Sequence, residues 1–227
     1  WFRAKLPAGT DVVETAKTLA KDPAVAAAEP DYLRRLAEGS KPPATKQARA
    51  SDNFSDPLYG QQWHLAAARI PEAWAYLQNL GLPPGGNRDI VVAVIDSGVD
   101  YNHPDLAVNI WTNSREIPGN GLDDDGNGYV DDVRGVDVIT NSGNPMDDHG
   151  HGTHVAGIIA AQANNAIGGI GVAYNVQIMA IKAAQYSGVL ASSDIAEAIC
   201  YAVAHGADII NMSFGGYTRS SVEEDAL

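Results

Sequence analysis

The stretch VVAVIDSGVDYNHPDL, residues 91–106, places an acid directly after an apolar run. Residues 89–95 are nearly all apolar and rich in β-branched side chains, which is typical of a strand buried on both faces of a parallel sheet. Asp96 is therefore expected at a strand tip, where little water reaches its carboxylate. Gly98 lets the chain turn sharply beside it. The other interpretation of Asp96 is a helix cap or turn residue, which an isolated Asp-Ser-Gly would favour.

A second stretch, HGHGTHVAGIIAA at residues 149–161, places His151 between two glycines and ahead of a helix predicted over 154–162. A hydrolytic triad needs a carboxylate that orients an imidazole, and the imidazole removes a proton from a nucleophile. The two stretches fit the first two members of such a triad, with Asp96 as the acid and His151 as the base.

Strands and helices alternate along this part of the chain. Helices are predicted over 71–81 and 193–204, and further strands over 176–183 and 207–214. The alternation predicts an α/β fold with a parallel sheet. Ligands of such sheets bind at the carboxyl ends of the strands. Asp96 and Ser213 both fall at such ends, and His151 opens a helix at the same level.

The bulk composition argues against several classes of protein. The chain has 227 residues and a net charge of −13, which disfavours binding to nucleic acid or to an anionic membrane surface. Its longest apolar stretches are too short to span a bilayer. The single cysteine, Cys200, excludes an internal disulfide, and its apolar helical context predicts a buried, unreactive thiol.

The first 57 residues differ in character from the rest. Residues 1–36 are predicted to form a strand (1–7), a helix (11–22) and a second strand (25–36), and residues 37–57 have the composition of a linker. Residues 1–50 carry a net charge of +3, and the remaining 177 residues carry −16. Opposite charges would draw the two parts together, although chance composition explains the split equally well.

The HGTHVAGIIAA stretch, together with the upstream VVAVIDSGVDYNHPDL, closely resembles the subtilisin-like serine proteases (subtilases) over about residues 56–216. The resemblance implies a subtilisin-like parallel sheet with helices on both faces, incomplete in this chain. It also implies a serine endopeptidase that hydrolyses peptide bonds in polypeptide substrates. Asp96 would be the acid, His151 the general base, and His154 a structural histidine packed under the site.

The same resemblance implies two edges that bind a substrate backbone, one at residues 188–190 and one within NMSFGG at 211–216. A peptide between them would be held as an added β-strand. The implied residues are Gly188, Val189, Leu190, Ser213, Phe214 and Gly215. Ser213 is a poor candidate for the nucleophile, because it lacks the glycine two residues earlier that a nucleophile elbow uses. The family's Gly-Thr-Ser-Met-Ala stretch does not occur in the sequence. The nucleophile and the oxyanion-hole asparagine are therefore expected beyond Leu227, and this chain alone is expected to be inactive.

The acidic segment NGLDDDGNGYVDD, residues 120–132, alternates oxygen-bearing side chains as a calcium-binding EF-hand loop does. The usual glutamate at the twelfth loop position is replaced by Arg134. Two later aspartates could supply the closing oxygens. The predicted calcium ligands are Asp123, Asp125, Asn127, the Tyr129 carbonyl, Asp131 and Asp132. The alternative is a solvated acidic turn, in which the acids would repel one another strongly.

A second calcium site is implied only by the resemblance to thermitase-like subtilases. Its implied ligands are Asp56, Asp105, Gln162, Asn165, Ile167 and Gly169. The alternative for the loop at 162–169 is an ordinary turn.

Residues 1–36 resemble the later part of a subtilisin propeptide, a small α+β ferredoxin-like domain that inhibits the enzyme and assists its folding. This implies a partial propeptide at 1–36, a linker with the maturation site at 37–57, and the N-terminal part of a catalytic domain at 58–227. The parent protein would be a secreted, monomeric zymogen whose signal peptide is missing from this piece.

Two other functions stay open at this point. One is a metal-dependent hydrolase, with zinc held by His149, His151 and His154 beside Asp147 and Asp148. The other is a non-catalytic calcium-binding pseudoenzyme.

Overall fold

The computed structural model describes residues 2–37 and 54–227. The helices and strands, in chain order, are α1 (Val12–Leu19), β1 (Leu33–Leu36), α2 (Trp63–Ala67), α3 (Ile70–Asn79), β2 (Val91–Asp96), β3 (Gly135–Asp137), α4 (His151–Ala160), β4 (Gln177–Lys182), β5 (Val189–Ala191), α5 (Ser192–Ala204), β6 (Ile209–Met212), β7 (Phe214–Gly215) and α6 (Ser221–Ala226). Short 3-10 turns occur at Tyr59–Gln61 and Ala107–Asn109.

A parallel four-stranded sheet in the order β3-β4-β2-β6 forms the centre of the body. Alternate residues of its strands face opposite sides, as the pleat requires. Ala93 and Ile95 pack in one core cluster with Ile199 of α5. Val92 and Val94 pack in a second cluster, which contains Ala156 and Ala160 of α4. The two helices therefore cover opposite faces, which confirms the predicted parallel α/β sheet.

Two details of the body differ from the predictions. Helix α4 begins at His151, three residues earlier than predicted, so the histidine belongs to its first turn. Cys200 is exposed rather than packed in the core. Within the described residues, no helix combines the length and apolar character that crossing a bilayer requires.

The N-terminal segment, residues 2–37, contains the predicted helix but not the first predicted strand. Asp11 caps α1 by accepting a hydrogen bond of 3.0 Å from the Glu14 N–H. Residues 2–7 are in no strand and Phe2 is fully exposed, because no strand among the described residues pairs with this stretch, although Arg3 forms ion pairs with Asp31 and Asp194. The second strand is limited to β1, which pairs with β5 and β7 of the body. Most of the predicted linker, residues 38–53, lies outside the described residues.

Candidate active site

Asp96 and His151 form a hydrogen-bonded pair at the carboxyl end of the central sheet. Asp96 ends β2 and is fully buried. The Nδ1 atom of His151 lies 2.8 Å and 2.9 Å from the two carboxylate oxygens of Asp96. The Ser97 N–H donates a further hydrogen bond of 2.7 Å to Asp96 Oδ1. A buried carboxylate in this position can orient the imidazole and stabilise its protonated form.

The close approach of α4 to the end of β2 depends on Gly152. A Cβ atom at Gly152 would lie 2.1 Å from the carbonyl oxygen of Gly98 and 3.0 Å from the Asp96 Cβ. Gly98 has a φ of +98°, and a Cβ there would lie 2.4 Å from the carbonyl oxygen of Pro145. A side chain at Gly152 would push α4 away from β2 and lengthen the Asp96–His151 hydrogen bond, whereas one at Gly98 would displace the segment 145–147 that precedes the helix.

Asp147 holds the first turn of α4, a role that the sequence analysis did not assign to it. Its carboxylate accepts hydrogen bonds of 2.9 Å from the N–H groups of His149 and Gly150, and one of 3.0 Å from Thr153. Burial raises the pKa of Asp147, but a hydrogen bond from the Thr153 hydroxyl, together with these backbone hydrogen bonds, outweighs it and leaves the pKa below its usual range. An aspartate just ahead of a predicted helix was the available signal, because such residues often cap helices.

The Nε2 atom of His151 faces the backbone carbonyl oxygen of Ala37 at 2.9 Å. Both ring nitrogens therefore face oxygen acceptors, which favours an imidazolium that donates from each of them. Burial lowers the pKa of His151. Hydrogen bonds to Asp96 and Ala37 and the charges of Asp96 and Asp147 outweigh that effect, so the pKa is raised above its usual value. Without the Ala37 carbonyl, Nε2 would be available to take a proton from another group.

Residues 33–37 lie as an extended strand between the two expected edges of the cleft. Strand β1 pairs antiparallel with β5 on one side and with β7 on the other. The Leu36 N–H donates to the Gly188 carbonyl at 3.0 Å, and the Ala37 N–H donates to the Ser213 carbonyl at 2.8 Å. Backbone pairing or backbone hydrogen bonds join this strand to Ala191 and to six further residues: Gly188, Val189, Leu190, Ser213, Phe214 and Gly215. These are the six residues expected to form the edges.

The Ser213 side chain lies in the wall of this cleft. Its hydroxyl accepts a hydrogen bond of 3.0 Å from the Asn211 Nδ2, while its carbonyl binds the strand. This geometry fits a pocket wall better than a nucleophile.

The residues of the zinc hypothesis do not converge on one point. Within residues 2–37 and 54–227, the only set of three or more His, Cys, Asp or Glu ligand atoms within 4.8 Å of one another lies elsewhere. His151 is bound to Asp96, and Asp148 pairs with the buried Lys182 Nζ at 2.6 Å. His154 is exposed, so it is neither a shared ligand nor the packed histidine that the resemblance implied.

Asp123 and Asp125 converge with Glu116, which the sequence analysis missed. Their carboxylate oxygens lie within 4.8 Å of one another, and we call these three residues the acidic cluster. Asp125 is also 3.3 Å from Arg115 Nε and 3.5 Å from His205 Nε2. Burial raises the pKa of Asp125, but hydrogen bonding and these neighbouring charges outweigh it and lower the pKa overall.

The other residues expected to bind calcium in this loop have different partners. Asp132 is fully buried and accepts hydrogen bonds from Asn127 and Tyr201. Asp131 accepts hydrogen bonds from the N–H groups of residues 119–121. The hydroxyl of Tyr129 donates to Glu197, a contact that does not involve the Tyr129 carbonyl expected as the ligand. The acidic cluster and the buried Asp132 are nevertheless joined, because Asn113 Nδ2 donates to Asp125 Oδ2 at 3.1 Å and to Asp132 Oδ1 at 3.2 Å.

One carboxylate oxygen of Glu116 has no hydrogen-bond partner. Glu116 is only 6% exposed, and its Oε1 accepts hydrogen bonds from the N–H groups of Asp124 and Asp125 at 2.9 Å and 3.1 Å. Its Oε2 is buried without a partner among the described residues. An unpaired buried carboxylate oxygen is unfavourable, and hard oxygen ligands of this type suit Ca²⁺. The acidic cluster therefore has the chemistry of a calcium site.

Three residues of the second expected site also lie together. Asp56 and Asp105 are both buried, and Asn165 contacts both of them. The Asn165 Nδ2 donates to Asp105 Oδ1 at 2.8 Å, and its N–H donates to Asp56 Oδ1 at 3.2 Å. Burial raises the pKa of Asp105 and outweighs the Asn165 hydrogen bond, while the nearby Asp56 charge adds to the increase. A cation would offset this repulsion.

The three remaining residues expected at this site lie in the same loop. The Gln162 N–H donates to the Asp105 carbonyl at 2.9 Å, and Gly168, the neighbour of Gly169, lies against the Asp105 carboxylate, since a Cβ at Gly168 would be 2.4 Å from Asp105 Oδ2. The Ile167 N–H donates to Asn165 Oδ1 at 2.8 Å. The loop therefore closes around the two carboxylates.

Comparison with known proteins identifies relatives of this chain. The Subtilase family model matches residues 87–226. Subtilisin-like protease 1 of Plasmodium falciparum (isolate 3D7) is 41% identical over 177 residues, 75% of this chain and 25% of its own length. A thermophilic serine proteinase of Bacillus sp. (strain AK1) is 34% identical over 96% of this chain and 44% of its own length.

Thermitase of Thermoactinomyces vulgaris is 32% identical over 77% of this chain and 50% of its own length. Among solved structures, a protease from Pseudoalteromonas arctica PAMC 21717 superposes with a TM-score of 0.58 and 27% identity, over 77% of this chain and 55% of that one. The chain thus spans half or less of the length of these curated relatives. The family match and these identities lead to one conclusion: the chain belongs to the subtilase family, on its thermitase-like branch.

Proposed function

We propose that the protein is a serine endopeptidase in which Asp96 orients His151 and His151 acts as the general base. The observation that carries this proposal is the hydrogen-bonded Asp96–His151 pair at the end of a strand-binding cleft. The imidazole would take the proton of a serine hydroxyl during attack and return it to the leaving amine. That serine and the oxyanion-hole asparagine would come from a part of the protein outside these 227 residues, so this chain alone would not turn over peptides.

The N-terminal segment is proposed to be a propeptide that inhibits the enzyme by occupying its cleft. Support comes from β1, which lies between the two edges expected to bind a substrate backbone, and from the Ala37 carbonyl 2.9 Å from His151 Nε2. A carbonyl beside the general base is where a scissile peptide bond would lie. The bond between Ala37 and Glu38 is therefore the proposed maturation site, and residues 58–227 would form the N-terminal part of the catalytic domain.

Calcium is the proposed cofactor, bound at two places. The acidic cluster would bind one ion through Glu116, Asp123 and Asp125, and Asp56 with Asp105 would hold the other. Calcium would supply positive charge that stabilises these loops, and it takes no part in the proton transfer. Its support is the unpaired Glu116 oxygen and the raised pKa of Asp105. Secretion and a monomeric state stay predictions from the sequence.

Hydrolysis of a quenched fluorescent peptide by the protein that contains this chain tests the catalytic assignment. His151→Ala should lower kcat by at least about a thousandfold, because it removes the general base. His149→Ala is the control, since His149 is exposed two residues away and has no role in the proposed mechanism. Activity of the His151 variant within tenfold of wild type would refute the assignment. An equal loss in both variants would favour the zinc hypothesis instead.

A further inference from the structure

One arginine of the N-terminal segment is buried in the wall of the cleft. Along β1 the side chains alternate, with Leu33 and Arg35 exposed and Arg34 and Leu36 buried. Arg34 is only 5% exposed. A guanidinium is rarely buried to this extent without an ionic partner, because removing its charge from water is costly.

The partner of Arg34 is Glu223 of helix α6. The Nη2 of Arg34 lies 3.0 Å from Glu223 Oε1, and its Nε donates to Glu223 Oε2 at 3.3 Å. The side chains are 6% and 19% exposed, so water screens the pair only weakly. Gly216 leaves room for the arginine stem, because a Cβ there would lie 2.8 Å from the Arg34 Cδ.

The position of Arg34 along the strand indicates which residue of a bound substrate would face Glu223. Ala37 presents its carbonyl to His151, and Arg34 is the third residue before Ala37. We propose that Glu223 makes the cleft selective for peptides with arginine three residues before the residue whose carbonyl is attacked. This inference rests on the proposed peptidase function and adds a substrate class to it.

The position of Glu223 does not depend on the N-terminal segment alone. Glu29 of that segment accepts hydrogen bonds from Ser220, Ser221 and Val222, so the segment does contact the start of α6. The helix has its own cap, however, because the Glu223 N–H donates to the Ser220 hydroxyl at 3.3 Å. Ala226 also packs against the main core cluster. Glu223 can therefore remain in place when a substrate replaces the segment.

Cleavage of matched peptides by the protein that contains this chain provides the first test. The peptides keep leucine before the alanine of the scissile bond and differ only at the proposed position, which is arginine, glutamine or glutamate. The arginine peptide should have a kcat/KM at least about tenfold higher than the glutamine peptide, as expected for loss of a charge-assisted hydrogen bond. Glu223→Gln should abolish the preference, and Glu223→Arg should shift it to the glutamate peptide. Glu224→Gln is the control, because Glu224 lies next on α6 and pairs with Arg219 instead.

Hydrogen exchange of this 227-residue chain gives a second test that needs no catalysis. Arg34→Gln and Glu223→Gln should each speed exchange of the Leu36 and Ala37 amides at least about tenfold, whereas Arg35→Gln should not. The double variant Arg34→Glu with Glu223→Arg, which swaps the two charges, should restore the protection of the Leu36 and Ala37 amides from exchange. If no peptide is cleaved, the peptidase proposal fails. The hydrogen-exchange measurement still tests whether the pair between Arg34 and Glu223 holds β1 in the cleft. Equal cleavage of all peptides, or equal exchange in the Arg34 and Arg35 variants, would overturn the inference.

Discussion

Replacing Glu116 by glutamine should change the free energy of unfolding in opposite directions with and without calcium. In the absence of calcium the buried Glu116 carboxylate faces Asp123 and Asp125, with ligand oxygens within 4.8 Å and one oxygen unpaired. In the presence of calcium the same carboxylate becomes a ligand. The glutamine side chain has nearly the same shape but no charge, so the substitution tests the charge alone.

The size of each effect follows from the geometry. Two unit charges 4.8 Å apart repel by about 3.5 kcal/mol at an effective dielectric constant of about 20. Arg115 beside Asp125 and the amide donors offset part of this repulsion. We therefore expect Glu116→Gln to stabilise the calcium-free protein by about 2 kcal/mol. Calcium at a thousand times its Kd should stabilise the wild type by about 4 kcal/mol, and the variant should lose most of that gain.

Urea unfolding in EDTA and in saturating calcium measures both effects. The variant should be about 2 kcal/mol more stable than wild type in EDTA and about 2 kcal/mol less stable in calcium. Glu72→Gln, a partly exposed acid on α3, is the control and should change stability by less than about 0.5 kcal/mol in either buffer. A shift of the same sign and size in both buffers would refute calcium binding at the acidic cluster.

Three further predictions concern the second calcium site, the base and the cleft wall. Asp105→Asn should remove most of the calcium-dependent rise in Tm at the second site, and an unchanged calcium response would count against that site. The pKa of His151 is raised, so its contribution to holding the segment is complete below its ordinary pKa of 6.5 and is lost as pH rises through the elevated value. NMR titration should show this pKa falling in a chain that lacks residues 1–37; no change would argue against the Ala37 contact. Ser213→Ala should leave kcat/KM within about tenfold of wild type, because only its backbone carbonyl binds the strand, and a loss of more than a thousandfold would make it a nucleophile.

The contact between Asp96 and His151 could be anticipated from sequence because each residue lies in a short local pattern. Asp96 ends an apolar β-run, and His151 begins a helix behind glycines, so neighbouring residues alone indicate their positions. Glu116 could not be found in this way. It lies seven residues before Asp123, outside the loop repeat, and joins the cluster only when the chain folds back.

The errors have equally specific causes. Helix α5 is apolar around most of its circumference, so its periodicity could not show that Cys200 lies on the exposed side. Residues 2–7 have strand-like composition, but no strand within residues 2–37 and 54–227 lies beside them, and strand propensity depends on such packing. The Arg34–Glu223 pair spans 189 residues, a separation that no local pattern reports.

The sheet β5-β1-β7 is unusual in that its middle strand belongs to the part proposed to be removed. While the chain is continuous, that strand competes with any outside peptide as part of the same molecule, at an effective concentration on the order of a millimolar. A peptide that binds with micromolar affinity would therefore rarely displace it. Once the bond after Ala37 is cut and the segment diffuses away, the strand no longer has this high effective concentration, because it is diluted into the solution. Cutting one bond would then switch the cleft from closed to available without any change in its contacts.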